Sequence, residues 1–193
     1  MSEQTKSKTI LRIIVTQEFN LQSNGFIKTI SETVIPYSSR YELAPDMLDL
    51  EVGLLSLKVQ NREFEIELIS PYQGHPAYKN SILIDYHQVD KISSVVIVDN
   101  KAPEIFMSSR SLMQTCQAFT RSTGVFALIN FEESQGRWDF EQWWKRRPPT
   151  IDAPIVDCVL SDKQSVANVL IALCEEVLKD IEEDEQDAPT STS

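Results

Sequence analysis

Residues 10–32 read I-L-R-I-I-V-T-Q-E-F-N-L-Q-S-N-G-F-I-K-T-I-S-E. Ile10 to Val15 is a nearly continuous apolar run, as expected of a central strand buried on both faces. A short polar loop follows, and a helix begins near Asn24. This is the strand–loop–helix setting of a phosphate-binding loop, in which G-x-x-x-x-G-K-[ST] would start after Thr16. The chain instead carries Gln17, Glu18, Phe19, Asn20, Leu21, Gln22, Ser23 and Asn24. The frame is present and the residues that hold phosphate are not.

A phosphate loop works because glycines let the backbone wrap close to the ligand and aim its N–H groups inward. The helix N-terminus adds a partial positive charge. The lysine reaches the β- and γ-phosphates, and the hydroxyl holds magnesium. Gln17 and Gln22 stand at the two glycine positions, and each brings a Cβ into space that phosphate needs. Ser23 replaces the lysine and Asn24 the magnesium hydroxyl, while Glu18 adds a negative charge. A hydrogen bond to a charged group contributes about 1.5–3 kcal/mol. Loss of two or three costs about 3–9 kcal/mol, or roughly two to six decades of affinity. Nucleotide is therefore not expected as a ligand, and no cofactor is.

Beyond the loop, Val15-Thr16, Phe19, Phe26-Ile27, Lys28 and Ile30-Ser31-Glu32 match V-T-G-P-F-G-A-G-K-T-T-F-I-R-x-I-S-E without a gap. That segment resembles the start of the bacterial small Ras-like GTPases of the gliding-motility and conservon type, often encoded with roadblock/LC7-domain partners. Leu50-Glu51-Val52-Gly53 resembles the family's M-D-F-G. Val98-Asp99 with Pro103-Glu104 and Phe106 resembles its V-D-x-x-x-P-E-x-F. The resemblance runs from about Thr9 to about Leu178. It implies an α/β, three-layer small-GTPase-like (P-loop NTPase) fold, with a mainly parallel sheet and one antiparallel hairpin strand.

Set against that family, the other nucleotide motifs are altered as well. The second phosphate motif aligns with Ile69-Ser70-Pro71-Tyr72-Gln73, so Tyr72 replaces the glycine that meets the γ-phosphate. Gln73 falls where a glutamine would position water. The base-reading N-K-x-D aligns with Asn130-Phe131-Glu132-Glu133: Asn130 survives, Phe131 replaces the lysine and Glu133 the aspartate. The last base motif falls around Val159-Leu160-Ser161. Four altered motifs together imply relaxed demand for nucleotide.

At 193 residues the chain is long enough for one domain with a full core. Its 29 acidic and 18 basic residues give a formal net charge of −11. That balance argues against nucleic acid, whose binding needs Lys and Arg against phosphate. No signal, lipidation or membrane-spanning pattern is visible, so no integral membrane segment and a cytoplasmic location are expected. Cys116, Cys158 and Cys174 lie in apolar contexts without CxxC spacing and read as reduced core thiols.

The organisation expected is a flexible polar leader over 1–8, a GTPase-like domain over 9–179 and a disordered acidic tail over 180–193. Within the domain, Val34 to Pro45 reads as loop and matches the first switch region. Strands are expected at about Asp49–Val59 and Glu63–Ile69, joined by a turn at Gln60-Asn61-Arg62 into a hairpin. Further strands are expected at Ser94–Val98, Val125–Ile129 and Ile155–Val159. Helices are expected near Tyr78–Tyr86, from Pro103 to about Arg121, over Asp139–Arg147, and from Ser165 to about Glu183. In the last, Val166, Val169, Leu170, Leu173, Val177 and Leu178 recur at helical spacing.

His75 and His87 have no metal-ligand spacing around them and read as surface residues. Glu51, Asp85 and Asp90 read as solvated carboxylates, and Asp99 as a structural or capping residue at a strand end. Trp138, Trp143 and Trp144 lie in R-W-D-F-E-Q-W-W-K-R-R-P-P, an aromatic and basic cluster that either packs a short helix onto the sheet or anchors an interface. Trp143 and Trp144 project about 100° apart on a helix, so both cannot be fully buried on one face. The expectation is a non-catalytic pseudo-GTPase serving as an interaction module in signalling. By resemblance its partner is a roadblock/LC7-type dimer, contacted through Glu51, Tyr72, Tyr78, Trp143 and Trp144. The alternative is an atypical GTP-binding protein with a non-standard phosphate site, borrowing Lys28 or Arg40. A third reading is a small-molecule sensor whose emptied pocket is lined by Phe19, Leu21, Tyr72 and Phe131.

Overall fold

The strand Ile10–Val15 anticipated from the apolar run lies at the centre of the sheet. A computed structural model of the protein describes residues 8–16, 23–36, 51–70, 89–99, 111, 113–118, 124–130, 140–142 and 153–187. Its elements are β1 (Lys8–Thr16), α1 (Ser23–Ile30), β2 (Thr33–Pro36), β3 (Glu51–Val59), β4 (Arg62–Ile69), β5 (Lys91–Asp99), β6 (Val125–Ile129), β7 (Ile155–Asp157) and α2 (Lys163–Asp187). The described strands form one sheet in the order β2-β3-β4-β1-β5-β6-β7. β3 runs antiparallel to β2 and β4, and the other neighbouring pairs are parallel. The protein is thus α/β with a mixed, mostly parallel sheet.

The period-two alternation of each strand divides the core into two layers. Leu11, Ile13 and Val15 share one face with Phe64, Ile66 and Leu68 of β4 and Val95 and Ile97 of β5, through the register Leu11↔Ile66 and Val15↔Val95. α1 covers this face with Phe26, Ile27 and Ile30, and α2 covers it with Val166, Val169, Leu170, Leu173, Cys174 and Val177. The spacing of three and four puts each set on one stripe of its helix. The other face carries Val96, Val98, Phe126 and Leu128, packed against Met113, Phe140 and Ala153. Phe126 and Phe140 meet edge to face at 5.3 Å. Residues 113–118 and 140–142 are helical, within the two helices expected there.

α1 lies close on β3 because Gly53 has no side chain. A Cβ there would fall 2.1 Å from Ser31 Oγ and 2.6 Å from Ile27 Cγ2. The start of α2 is fixed by Asp162, whose carboxylate accepts from Gln164 N at 3.0 Å and whose carbonyl accepts from Val166 N. Thr29 Oγ1 donates to Leu160 O at 2.7 Å and ties α1 to the same turn.

Three stretches differ from the sequence expectation. Thr33–Pro36, within a segment read as loop from Val34, is an edge strand with Val34 half-buried against the core. Pro36 is tolerated because it ends the outermost strand. β5 begins at Lys91 rather than Ser94, with Ser93 and Ser94 buried in the sheet. α2 runs to Asp187, beyond the helix end expected at about Glu183 and into the stretch 180–193 expected as an acidic tail, and Lys91 Nζ pairs with Asp184 across from β5. The helix expected near Tyr78–Tyr86 lies outside the described residues.

Candidate functional site

Because β1, β4, β5, β6 and β7 run in one direction, Thr16, Ile69, Asp99, Ile129 and Asp157 all end on one edge of the sheet. In open α/β sheets ligands sit outside this carboxyl edge. The strand–loop–helix unit read from the sequence opens there: β1 stops at Thr16 and α1 starts at Ser23, with Asn24 its second residue. The replaced positions Gln17 and Gln22 lie outside the described residues, as do Tyr72, Gln73 and Glu133. Tyr78, Trp143, Trp144, Arg40 and the aromatic residues assigned to an emptied pocket lie outside them too.

Two polar residues named separately from the sequence come together on this edge. Asn130 Nδ2 donates to Asp99 Oδ1 at 2.7 Å, joining the ends of β5 and β6. Asn130 has φ 62°, the left-handed region that asparagine tolerates better than most residues. The bond gives Asp99 a structural role between neighbouring strands, within the structural or capping role expected at this strand end.

Thr16 Oγ1 and Ser70 Oγ are also at this edge, buried and without a hydrogen-bond partner among the described residues. Thr16 shares the face of Arg12 and Ile14, whereas Ser70 continues the parity of Ile66 and Leu68. They stand on opposite faces of the sheet and do not form a nucleophile–base pair. Lys28 does not point its charge at this edge unaccompanied: its Nζ lies 3.9 Å from Glu51 Oε2, with both side chains more than half exposed.

The chain matches no protein-family model and no curated protein sequence. Fold and site therefore rest on its own residues.

The most buried ion pair among the described residues lies away from the edge. Arg12 Nε and Nη2 donate to Glu67 Oε2 at 3.1 and 3.0 Å, with the side chains 0% and 3% exposed. Arg12 and Glu67 face each other directly in the β1–β4 register. At the opposite, amino edge Asp90 accepts from Ile10 N at 2.7 Å and donates its own N–H to Ile10 O. Asp90 thus closes the start of the β1–β5 pairing. Cys116, Cys158 and Cys174 are buried thiols. Burial pushes the Cys158 thiol up to about 11 and the Cys174 thiol up to about 12, so both remain protonated and unreactive at neutral pH. No helix of the described residues is long and apolar enough to cross a membrane.

Proposed function

We propose that this protein is a non-catalytic member of the small-GTPase fold that works as an interaction module. The observation that carries the reading is where β1 ends and α1 begins. β1 is the middle strand of the sheet and stops at the carboxyl edge, α1 begins seven residues on, and a phosphate loop would follow such a strand end. The sequence supplies no glycine, lysine or arginine between Thr16 and Gly25. The strand order, with one antiparallel strand beside a parallel set, is compatible with that fold. The Asn130–Asp99 bond adds support, since it engages the amide of the one base-reading residue that survives.

Without a γ-phosphate to order its loops, such a protein binds its partner constitutively rather than as a switch. The resemblance implies a roadblock/LC7-type dimer as that partner. The test has two parts. Calorimetric titration with GTP, GDP and ATP in the presence of magnesium should give no heat up to millimolar ligand. Co-purification with a roadblock-domain protein encoded nearby should give a stable complex with or without nucleotide. Micromolar nucleotide binding would replace this reading with that of an atypical GTP-binding protein.

A further inference from the structure

β2 covers only half of β3. The pairing runs from Pro36↔Glu51 to Thr33↔Leu54 and stops, whereas β3 continues to Val59. The two-residue turn Gln60-Asn61 joins Val59 to its partner Arg62. From that closure the N–H and C=O groups of Leu55, Leu57 and Val59 point to β4, and those of the intervening residues point outward. Leu54 obeys the alternation, its carbonyl accepting from Glu32 N on the outer side. The next outward-pointing residues are Ser56 and Lys58. Both are exposed, and no described strand pairs with them.

A cleft of about 120 Å³ opens beside this uncovered edge, lined among others by Glu32, Thr33, Leu54, Ser56, Glu65 and Glu67. Glu65 is paired with Lys8 and Glu67 with Arg12. Glu32 is exposed and has no ion-pair partner among the described residues. Among the described residues, the cleft therefore presents one carboxylate without an ion-pair partner next to two ladder positions that no strand uses.

We propose that the stretch Leu55–Val59 accepts an extended, basic segment of a partner protein as an added strand. The strand continues the line of β2 and runs antiparallel to β3, ending beside Glu32. Side chains opposite Ser56 and Lys58 fall on the cleft face, and the one opposite Leu57 falls on the helix-covered face. The fitting pattern is a polar residue opposite Lys58, an apolar one against half-buried Leu57, and a basic one opposite Ser56, within reach of Glu32 and Glu65. Main-chain bonds supply affinity and these alternate positions supply selectivity. This surface deepens the interaction-module reading and rests on it only for its biological use.

The test is NMR of the ¹⁵N-labelled full chain titrated with acetyl-Val-Thr-Val-Arg-Val-amide. The expected result is shifts and slowed exchange at the amides of Ser56 and Lys58, which point outward and pair with no described strand. Ser56→Pro removes one outward donor and leaves the bonds to β4 intact, since proline is accepted on edge strands. It should weaken binding about tenfold. Glu32→Lys, or glutamate in place of the peptide arginine, should weaken it by a similar factor. Unchanged Ser56 and Lys58 amides at millimolar peptide would overturn the proposal. So would wild-type binding by folded Ser56→Pro, or by the glutamate peptide. Nucleotide binding by the protein would defeat the preceding section without moving these amides.

Discussion

Replacing Glu67 with leucine should be among the most damaging single changes in the described sheet. The substitution leaves the Arg12 guanidinium, 0% exposed, without the carboxylate oxygen that accepts two of its N–H groups at 3.1 and 3.0 Å. Removing one partner of a buried ion pair costs about 3–5 kcal/mol, because the remaining charge loses its counter-ion where water cannot replace it. A domain of this size has a total stability of about 5–15 kcal/mol. At about 2–4 °C per kcal/mol, the expected fall in Tm is roughly 6–20 °C. Arg12→Leu should cost a comparable amount. The double variant Arg12→Leu/Glu67→Leu should lose much less than the sum of the two, since it buries no orphaned charge. Urea unfolding of all four proteins measures the cycle, provided the slopes agree. A single-variant loss under about 1 kcal/mol, or strict additivity in the double variant, would refute the reasoning.

Three further outcomes follow from other contacts. Gly53→Ala should destabilise by about 1–3 kcal/mol in urea unfolding, the range for overpacking a filled site, because the new methyl meets Ser31 Oγ and Ile27 Cγ2 within 2.6 Å. Asn130→Ala should cost about 1–2 kcal/mol by the same measurement, losing the bond to Asp99 and placing alanine at φ 62°. The two raised thiols set a pH dependence. Their stabilisation is fully present below the ordinary thiol value of 9.0 and is lost as pH rises through about 11 and 12. The urea midpoint should therefore fall above pH 9, and it should fall less steeply in Cys158→Ala/Cys174→Ala.

What the sequence disclosed depended on how strongly each element marked its period. β6 is purely apolar and β1 carries an apolar run from Ile10 to Val15 broken only by Arg12, and both were legible. The hairpin was legible from the alternation of Phe64, Ile66 and Leu68 and from the polar turn at residues 60–61. The core stripe of α2 was legible through Leu178, where the apolar signal fades. Its last turn beyond Glu183 was not, because helix continuation there is set by the preceding turns and by Lys91 across the layer. β2 was hidden because four residues, T-V-I-P, carry too little pattern and end in proline. Its pairing is fixed by Val52, Gly53 and Leu54 on β3, outside any local window.

The candidate site was legible in the same uneven way. Thr16, Asp99 and Asn130 were placed near strand ends from the sequence, and the structure puts them on one edge. The Asn130–Asp99 bond was not anticipated, since it depends on the β5–β6 register Asp99↔Ile129. Arg12 was a signal passed over. An arginine inside an apolar run demands a buried carboxylate. β4 offers Glu63, Glu65 and Glu67, and only the register Arg12↔Glu67 selects among them.

Calorimetric titration of the purified protein with GTP and magnesium, after a check for co-purified nucleotide, tests the central claim most directly. The account predicts no binding heat up to millimolar ligand. Binding at micromolar concentration or tighter would contradict it, and would mean that groups other than glycine backbone and a loop lysine hold the phosphates.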